Sequence, residues 1–126
     1  MIKITDEMKE RIGKAFEEKK YCIWATAGKD GSPSISFRGS TFVWDDENLA
    51  FWDRSLQSST DNIQQNDHVA MLYRDPDKGV GWRFYGQAIQ YKEGEMRQKI
   101  MDRTIKAELD KDPERKGFGV LVRVDK

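Results

Sequence analysis

Between residues 21 and 86 the chain is a series of short β-type runs cut at close intervals by turn signals, and this pattern restricts the fold more than any other feature. Residues 21–27 are rich in aromatic and β-branched side chains. They run into Gly28-Lys29-Asp30-Gly31-Ser32-Pro33, which predicts a hairpin. Residues 34–38 then alternate, with Ile35 and Phe37 on one face and Ser34, Ser36 and Arg38 on the other, until Gly39 breaks the pattern where a backbone can approach a ligand. Residues 41–44 and 49–53 predict a second hairpin around Asp45-Asp46-Glu47-Asn48, with Trp52 and Arg54 on the same side. Val69, Met71 and Tyr73 belong to a further strand, turned by Asp75-Pro76-Asp77-Lys78-Gly79. Residues 82–91 form the longest strand candidate, and Gly86 within it signals a bulge or sharp bend. A last strand, 118–124, points Phe118, Val120, Val122 and Val124 inward. Tight turns between short strands predict a mainly β fold, a closed or nearly closed antiparallel barrel of six or seven strands.

Helices are expected at the periphery. Thr5-Asp6-Glu7 is a helix start, followed by Met8, Ile12, Ala15 and Phe16 on one face and closed by Lys19-Lys20. Residues 59–65 predict a short helix ended by Asn66-Asp67. Residues 95–110 predict an amphipathic helix that buries Met96, Ile100, Met101, Ile105 and Leu109, and Asp112-Pro113 caps a short turn after it. With 126 residues and no linker or repeat, residues 1–126 are expected to form one domain with a single core.

Lys plus Arg and Asp plus Glu are both 22, so the formal net charge is +0, which argues against nucleic-acid binding through a strongly basic surface. No apolar run reaches the length of a membrane span, the N-terminus lacks a signal-peptide core, and Cys22 is the only cysteine. A soluble, cytoplasmic protein is expected. A charged fraction of 35% against 37% hydrophobic residues leaves room for burial completed by a second copy.

The chemistry is expected at the strand corners. Arg54-Ser55-Leu56-Gln57-Ser58-Ser59-Thr60-Asp61-Asn62 is a hydroxyl-rich junction entering a helix, where outward-pointing N–H groups and short hydroxyl donors suit a phosphate. Ser59, Thr60 and Asn62 also suit plain helix capping, which is compatible with that role. Arg38 and Arg54 flank glycine or hydroxyl residues, and an Arg fork matches a phosphate dianion. With His68 the only histidine, a zinc site or a Cys22/His68 nucleophilic pair is disfavoured; Cys22 reads as a core residue. Most of Trp24, Trp44, Trp52 and Trp82 are expected in packing, and residues 110–116 to carry no chemistry. No side chain stands out as a catalytic acid or base.

Taken in order, Ala25-Thr26-Ala27, Asp30-Gly31-Ser32-Pro33, Arg38-Gly39-Ser40, Asp45-Asp46-Glu47-Asn48-Leu49-Ala50-Phe51, Thr60-Asp61-Asn62-Ile63, Asn66-Asp67-His68-Val69-Ala70 and Trp82-Arg83-Phe84-Tyr85-Gly86 carry a resemblance. The chain resembles the pyridoxamine 5′-phosphate oxidase-like, FMN-binding split-barrel family. The resemblance implies a Greek-key split barrel and a homodimer with FMN in grooves at the subunit interface. By the same resemblance, Phe37, Arg38, Gly39 and Ser40 would run along the isoalloxazine ring. Trp52, Arg54, Ser58, Ser59, Thr60 and Asn62 would face the ribityl chain and phosphate, with Arg83 a further candidate for phosphate or ring.

Two departures bear on the activity. The oxidases that give the family its name carry an Arg-Lys pair where this chain has Ser58-Ser59, and a C-terminal segment with an Arg and a His that is not present before Lys126. Vitamin B6 oxidation is therefore not expected. The expectation is an FMN-dependent oxidoreductase acting on a small molecule. The alternatives are a non-catalytic flavin or tetrapyrrole carrier, a stress-related protein, or a deazaflavin-dependent reductase.

Overall fold

The hairpin predicted by the Gly28–Pro33 turn is formed by β1 (Cys22–Ala27) and β2 (Pro33–Arg38), paired from Cys22–Arg38 to Ala27–Pro33. The computed structural model describes residues 3–54 and 58–125, apart from the side chains of Ser58 and Ser59. Before the hairpin lies α1 (Asp6–Gly13), and after it come β3 (Phe42–Val43), β4 (Asn48–Asp53), α2 (Ser58–Gln65), β5 (His68–Asp75) and β6 (Val80–Tyr91). The chain continues through α3 (Glu95–Arg103), α4 (Lys106–Leu109) and β7 (Phe118–Val124). All seven strands join one antiparallel sheet in the order β2-β1-β5-β6-β7-β4-β3.

That order places β2 and β3 at opposite edges, yet only Gly39, Ser40 and Thr41 separate them in sequence. Four Cα steps of about 3.8 Å span roughly 15 Å at most, so the sheet must curl until its edges approach. The result is a split half-barrel with its core inside the curl. Trp24, Phe51, Met71, Tyr73, Phe84, Val120, Val122 and Val124 fill it, and Ile4, Ile12 and Ala15 plug it from the N-terminal segment.

Gly86 marks a bend rather than a bulge. The register from β5 to β6 and from β6 to β7 runs without an inserted residue, and β6 passes from one neighbour to the other at Gly86–Gln87. A Cβ at Gly86 would lie 2.1 Å from the Arg123 carbonyl oxygen, so only glycine permits this approach.

The structure corrects both long helix expectations. Thr5 caps α1 as expected, its Oγ1 accepting from the Met8 N–H at 3.2 Å, but the helix stops at Gly13 instead of Lys20. Turns then place Ala15 in the core and carry Lys20 through a left-handed Lys19 (φ 61°) to the buried Asp75 carboxylate, 2.9 Å away. The 95–110 helix is broken at Thr104, which is extended; its hydroxyl donates to the Ile100 carbonyl at 2.7 Å and takes over the acceptor of a continuing helix. Of the five residues expected to be buried there, only Ile100 is, and Ile105 is exposed.

Candidate functional site

Pleating sends Ser34, Ser36 and Arg38 to the inner side of β2 and turns Ile35 and Phe37 outward. Two rows cross the outer face of the sheet in register, Phe37–Ile23–Leu72–Arg83 and Ile35–Ala25–Ala70–Tyr85. Exposure of 73% at Ile35, 67% at Phe37, 41% at Tyr85 and 40% at Leu72 makes this a continuous apolar surface and not a scatter of single residues.

At the β2 rim of that surface the chain forms a pocket of about 200 Å³ lined by Phe16, Tyr21, Phe37, Arg54, Glu108 and Lys111, with Gly39 as its floor. Phe16 and Tyr21 stand 5.6 Å apart at a tilt of 53° and make an aromatic wall. A Cβ at Gly39 would come within 3.1 Å of Glu108 Oε1 and 3.3 Å of Phe16, so any larger residue fills the cradle. Lys111 Nζ pairs with Glu108 Oε2 at 3.0 Å, whereas exposed Arg54 has no hydrogen bond or ion pair among the described residues. Among the described lining residues, two cations face one carboxylate, an excess of one positive charge.

Behind the pocket lies a buried polar scaffold. Arg38 Nη1 donates to Asp53 Oδ1 at 3.0 Å, Thr60 Oγ1 donates to Asp53 Oδ2 at 2.5 Å, and the Arg38 guanidinium sits 5.3 Å from the Phe51 ring centre. Ser40 Oγ donates to the Trp52 carbonyl and accepts from its N–H, both at 3.0 Å. Trp52 Nε1 donates to Asp112 Oδ2 at 2.9 Å, with the Arg97 guanidinium 4.9 Å from the indole. Burial raises the Asp112 carboxyl, but hydrogen bonds from Trp52 and the Lys116 and Gly117 amides, with the Arg115 charge, outweigh it and hold the group below its ordinary value. Asn62 Nδ2 donates to Thr26 Oγ1 at 3.2 Å.

The structure thus brings Phe37, Gly39 and Arg54 to one pocket and places Arg38, Ser40, Trp52 and Thr60 in the buried layer that fixes its walls. Trp52 and Arg54 do not share an environment: β4 ends at Asp53, Trp52 is buried and Arg54 exposed. Ser58 and Ser59 open α2, and their side chains, like residues 55–57, lie outside the described residues. Arg83 lies three strands from Phe37, on the far side of the apolar face. Sequence reasoning missed Phe16, Tyr21, Glu108 and Lys111 as pocket residues, and it missed Asp112, the anchor of Trp52. Only the Glu108–Lys111 spacing on a helical turn was a local signal. Cys22 and His68 do not meet, being at opposite ends of adjacent strands, and burial pushes the Cys22 thiol up to about 12, only partly countered by Thr41, so it is no nucleophile.

The sequence profile of the family described as Pyridoxamine 5'-phosphate oxidase matches residues 5–124, nearly the whole chain. The chain belongs to the pyridoxamine 5′-phosphate oxidase family. A comparison with curated proteins finds no match. Among solved structures, a proposed pyridoxamine 5′-phosphate oxidase from Lactobacillus delbrueckii superposes with a TM-score of 0.77 at 20% identity, covering 98% of this chain and 91% of that one. HupZ of Group A Streptococcus gives 0.75 at 22% identity over 98% and 90% of the two chains. An FMN-binding protein from Syntrophomonas wolfei gives 0.68 at 19% identity over 95% and 84%. For this member of the pyridoxamine 5′-phosphate oxidase family, these likenesses establish the split-barrel fold. Among the described residues no helix is long and apolar enough to cross a membrane.

Proposed function

We propose that the protein is an FMN-binding flavoprotein that works as a homodimer and oxidises or reduces a small molecule. One observation carries the reading: an exposed apolar sheet face ends at a cationic pocket whose glycine floor leaves space for a ligand. The residues fit the group. Phe37 offers an apolar surface to a planar ring at the pocket mouth, and Arg54 is a fork donor for a phosphate with Lys111 adding charge. FMN, when bound, supplies the electron and hydride chemistry; the chain binds and orients it, and a second copy laid on the Ile35–Tyr85 face excludes water.

Adding FMN to the purified protein and following flavin fluorescence, with reduction by NADH or NADPH afterwards, tests the reading. One FMN per chain and flavin reduction are expected, with affinity falling about tenfold to a hundredfold in Arg54→Ala, the scale of a charge-assisted hydrogen bond of about 1.5–3 kcal/mol. Protein that takes up no FMN, or that holds a tetrapyrrole or deazaflavin in preference, overturns it. Tight binding without reduction by either nucleotide leaves a carrier in place of an enzyme.

A further inference from the structure

On the outer side of the β5–β6 hairpin, away from the Arg54 pocket, lies a second cleft of about 330 Å³. Two arginines form its walls. Arg74 stands opposite Gly81 in the ladder and Arg83 opposite Leu72, so the two residues are diagonal neighbours on one face, about 7–8 Å apart at their Cα atoms, and both line the cleft. Like charges so placed repel each other unless something negative lies between them. No side chain among the described residues does this: both arginines are exposed, and neither has a hydrogen bond or ion pair there.

The nearest acids are used elsewhere. Asp75 is buried on the inner side and paired with Lys20 at 2.9 Å, and Asp77 pairs with the same ammonium at 3.2 Å. Between the arginines the strand presents Gly81, so the cleft has a backbone floor, and a Cβ there would stand 3.3 Å from the Tyr73 carbonyl. Next to that floor, Trp82 stacks on buried Tyr73 at 5.7 Å and 17°, which anchors the strand to the core. The volume lies within the range of small-ligand sites, about 300–1,000 Å³.

We propose that Arg74 and Arg83 clasp an oxoanion, a phosphate or carboxylate group of a small molecule, over the Gly81 floor, at a site separate from the flavin phosphate pocket. Two planar forks aimed at one cleft match an oxoanion, whose binding also relieves their mutual repulsion. If the flavin reading holds, the anion belongs to the substrate or the reductant. The site itself does not depend on that reading.

Calorimetric titration of the full chain with inorganic pyrophosphate, at moderate salt and with and without saturating FMN, tests it. Expected are one pyrophosphate per chain, about a tenfold loss of affinity in Arg74→Gln or Arg83→Gln, and no measurable binding in the double variant. Gly81→Leu fills the floor while keeping both charges and should also abolish binding, with circular dichroism confirming the fold of each variant. Affinity unchanged in the double variant, or lost equally in Arg123→Gln on the same sheet, means diffuse surface charge and overturns the proposal. Loss of pyrophosphate binding on FMN saturation makes the cleft the flavin's own phosphate seat and overturns it as a separate site. Pyrophosphate bound by protein that takes up no FMN leaves this site standing while the flavin reading falls.

Discussion

Asp53 joins three parts of the chain at one carboxylate: Arg38 from the end of β2, Thr60 from α2, and its own position at the end of β4. Asp53 is fully buried and accepts from both Arg38 and Thr60, so Asp53→Ala breaks a buried ion pair and is expected to cost about 3–5 kcal/mol by urea denaturation. Thr60→Val removes a neutral donor to a charged acceptor and should cost less, about 1.5–3 kcal/mol. Asp75 works through pH. The hydrogen bond from Lys20 outweighs burial, and with the Lys20 charge and the Lys78 and Asp77 amides it holds the Asp75 carboxyl below its ordinary value. A depressed carboxyl contributes stability that is full above its unfolded pKa and lost as pH falls through its folded one. Asp75→Asn should therefore lower Tm at neutral pH, and the gap from wild type should close in acid; a gap that persists below the carboxylate range would show that packing, not charge, is what Asp75 supplies.

Gly86 shows how an element can be read from one residue. Its place inside a strand pattern announced a bulge or a bend; the register shows no bulge, and the residue is where β6 leaves β5 for β7. Gly86→Ala pushes a Cβ against the Arg123 carbonyl at 2.1 Å, a backbone atom that yields only if the β6–β7 ladder parts. A loss of about 1–3 kcal/mol is expected, read as faster hydrogen exchange at residues 120–124. The hairpins, the central helix and the last strand were legible for the same reason, since their turn chemistry and alternation are local. The break at Thr104 was not, because Met96, Ile100 and Met101 keep helical spacing up to it and the competitor is one hydroxyl. The site divides likewise. Gly39 and Arg54 carried a signal in their neighbours, whereas Glu108 and Lys111 reach the same pocket only because the fold brings α4 and the turn after it against Gly39, just past the end of β2. Arg38 looked like a ligand residue because sequence shows a charge but not the Asp53 that holds it.

At the scale of the whole molecule, alternation in β2 gave two faces without saying which was inner, and the structure turns the polar one inward, where Arg38 pairs with Asp53. The apolar face then needs a cover. Under the homodimer reading a two-fold axis lays that face on its own copy, so each substitution on it acts twice. Burying a side chain such as Ile35 contributes about 1.5–3 kcal/mol, so Ile35→Asp should cost the pair roughly 3–6 kcal/mol, before any penalty for the introduced charge. Sedimentation is expected to show wild-type dimer and Ile35→Asp monomer at the same concentration. Ile35 makes the experiment clean, since its solvent exposure means that the variant monomer should keep wild-type circular dichroism. FMN affinity should fall with the dimer although Arg54, Gly39 and the Asp53 scaffold are untouched. A monomeric variant that binds FMN as tightly as wild type would place the whole flavin site within one chain, and the shared groove would have to be given up while the Arg54 pocket stood.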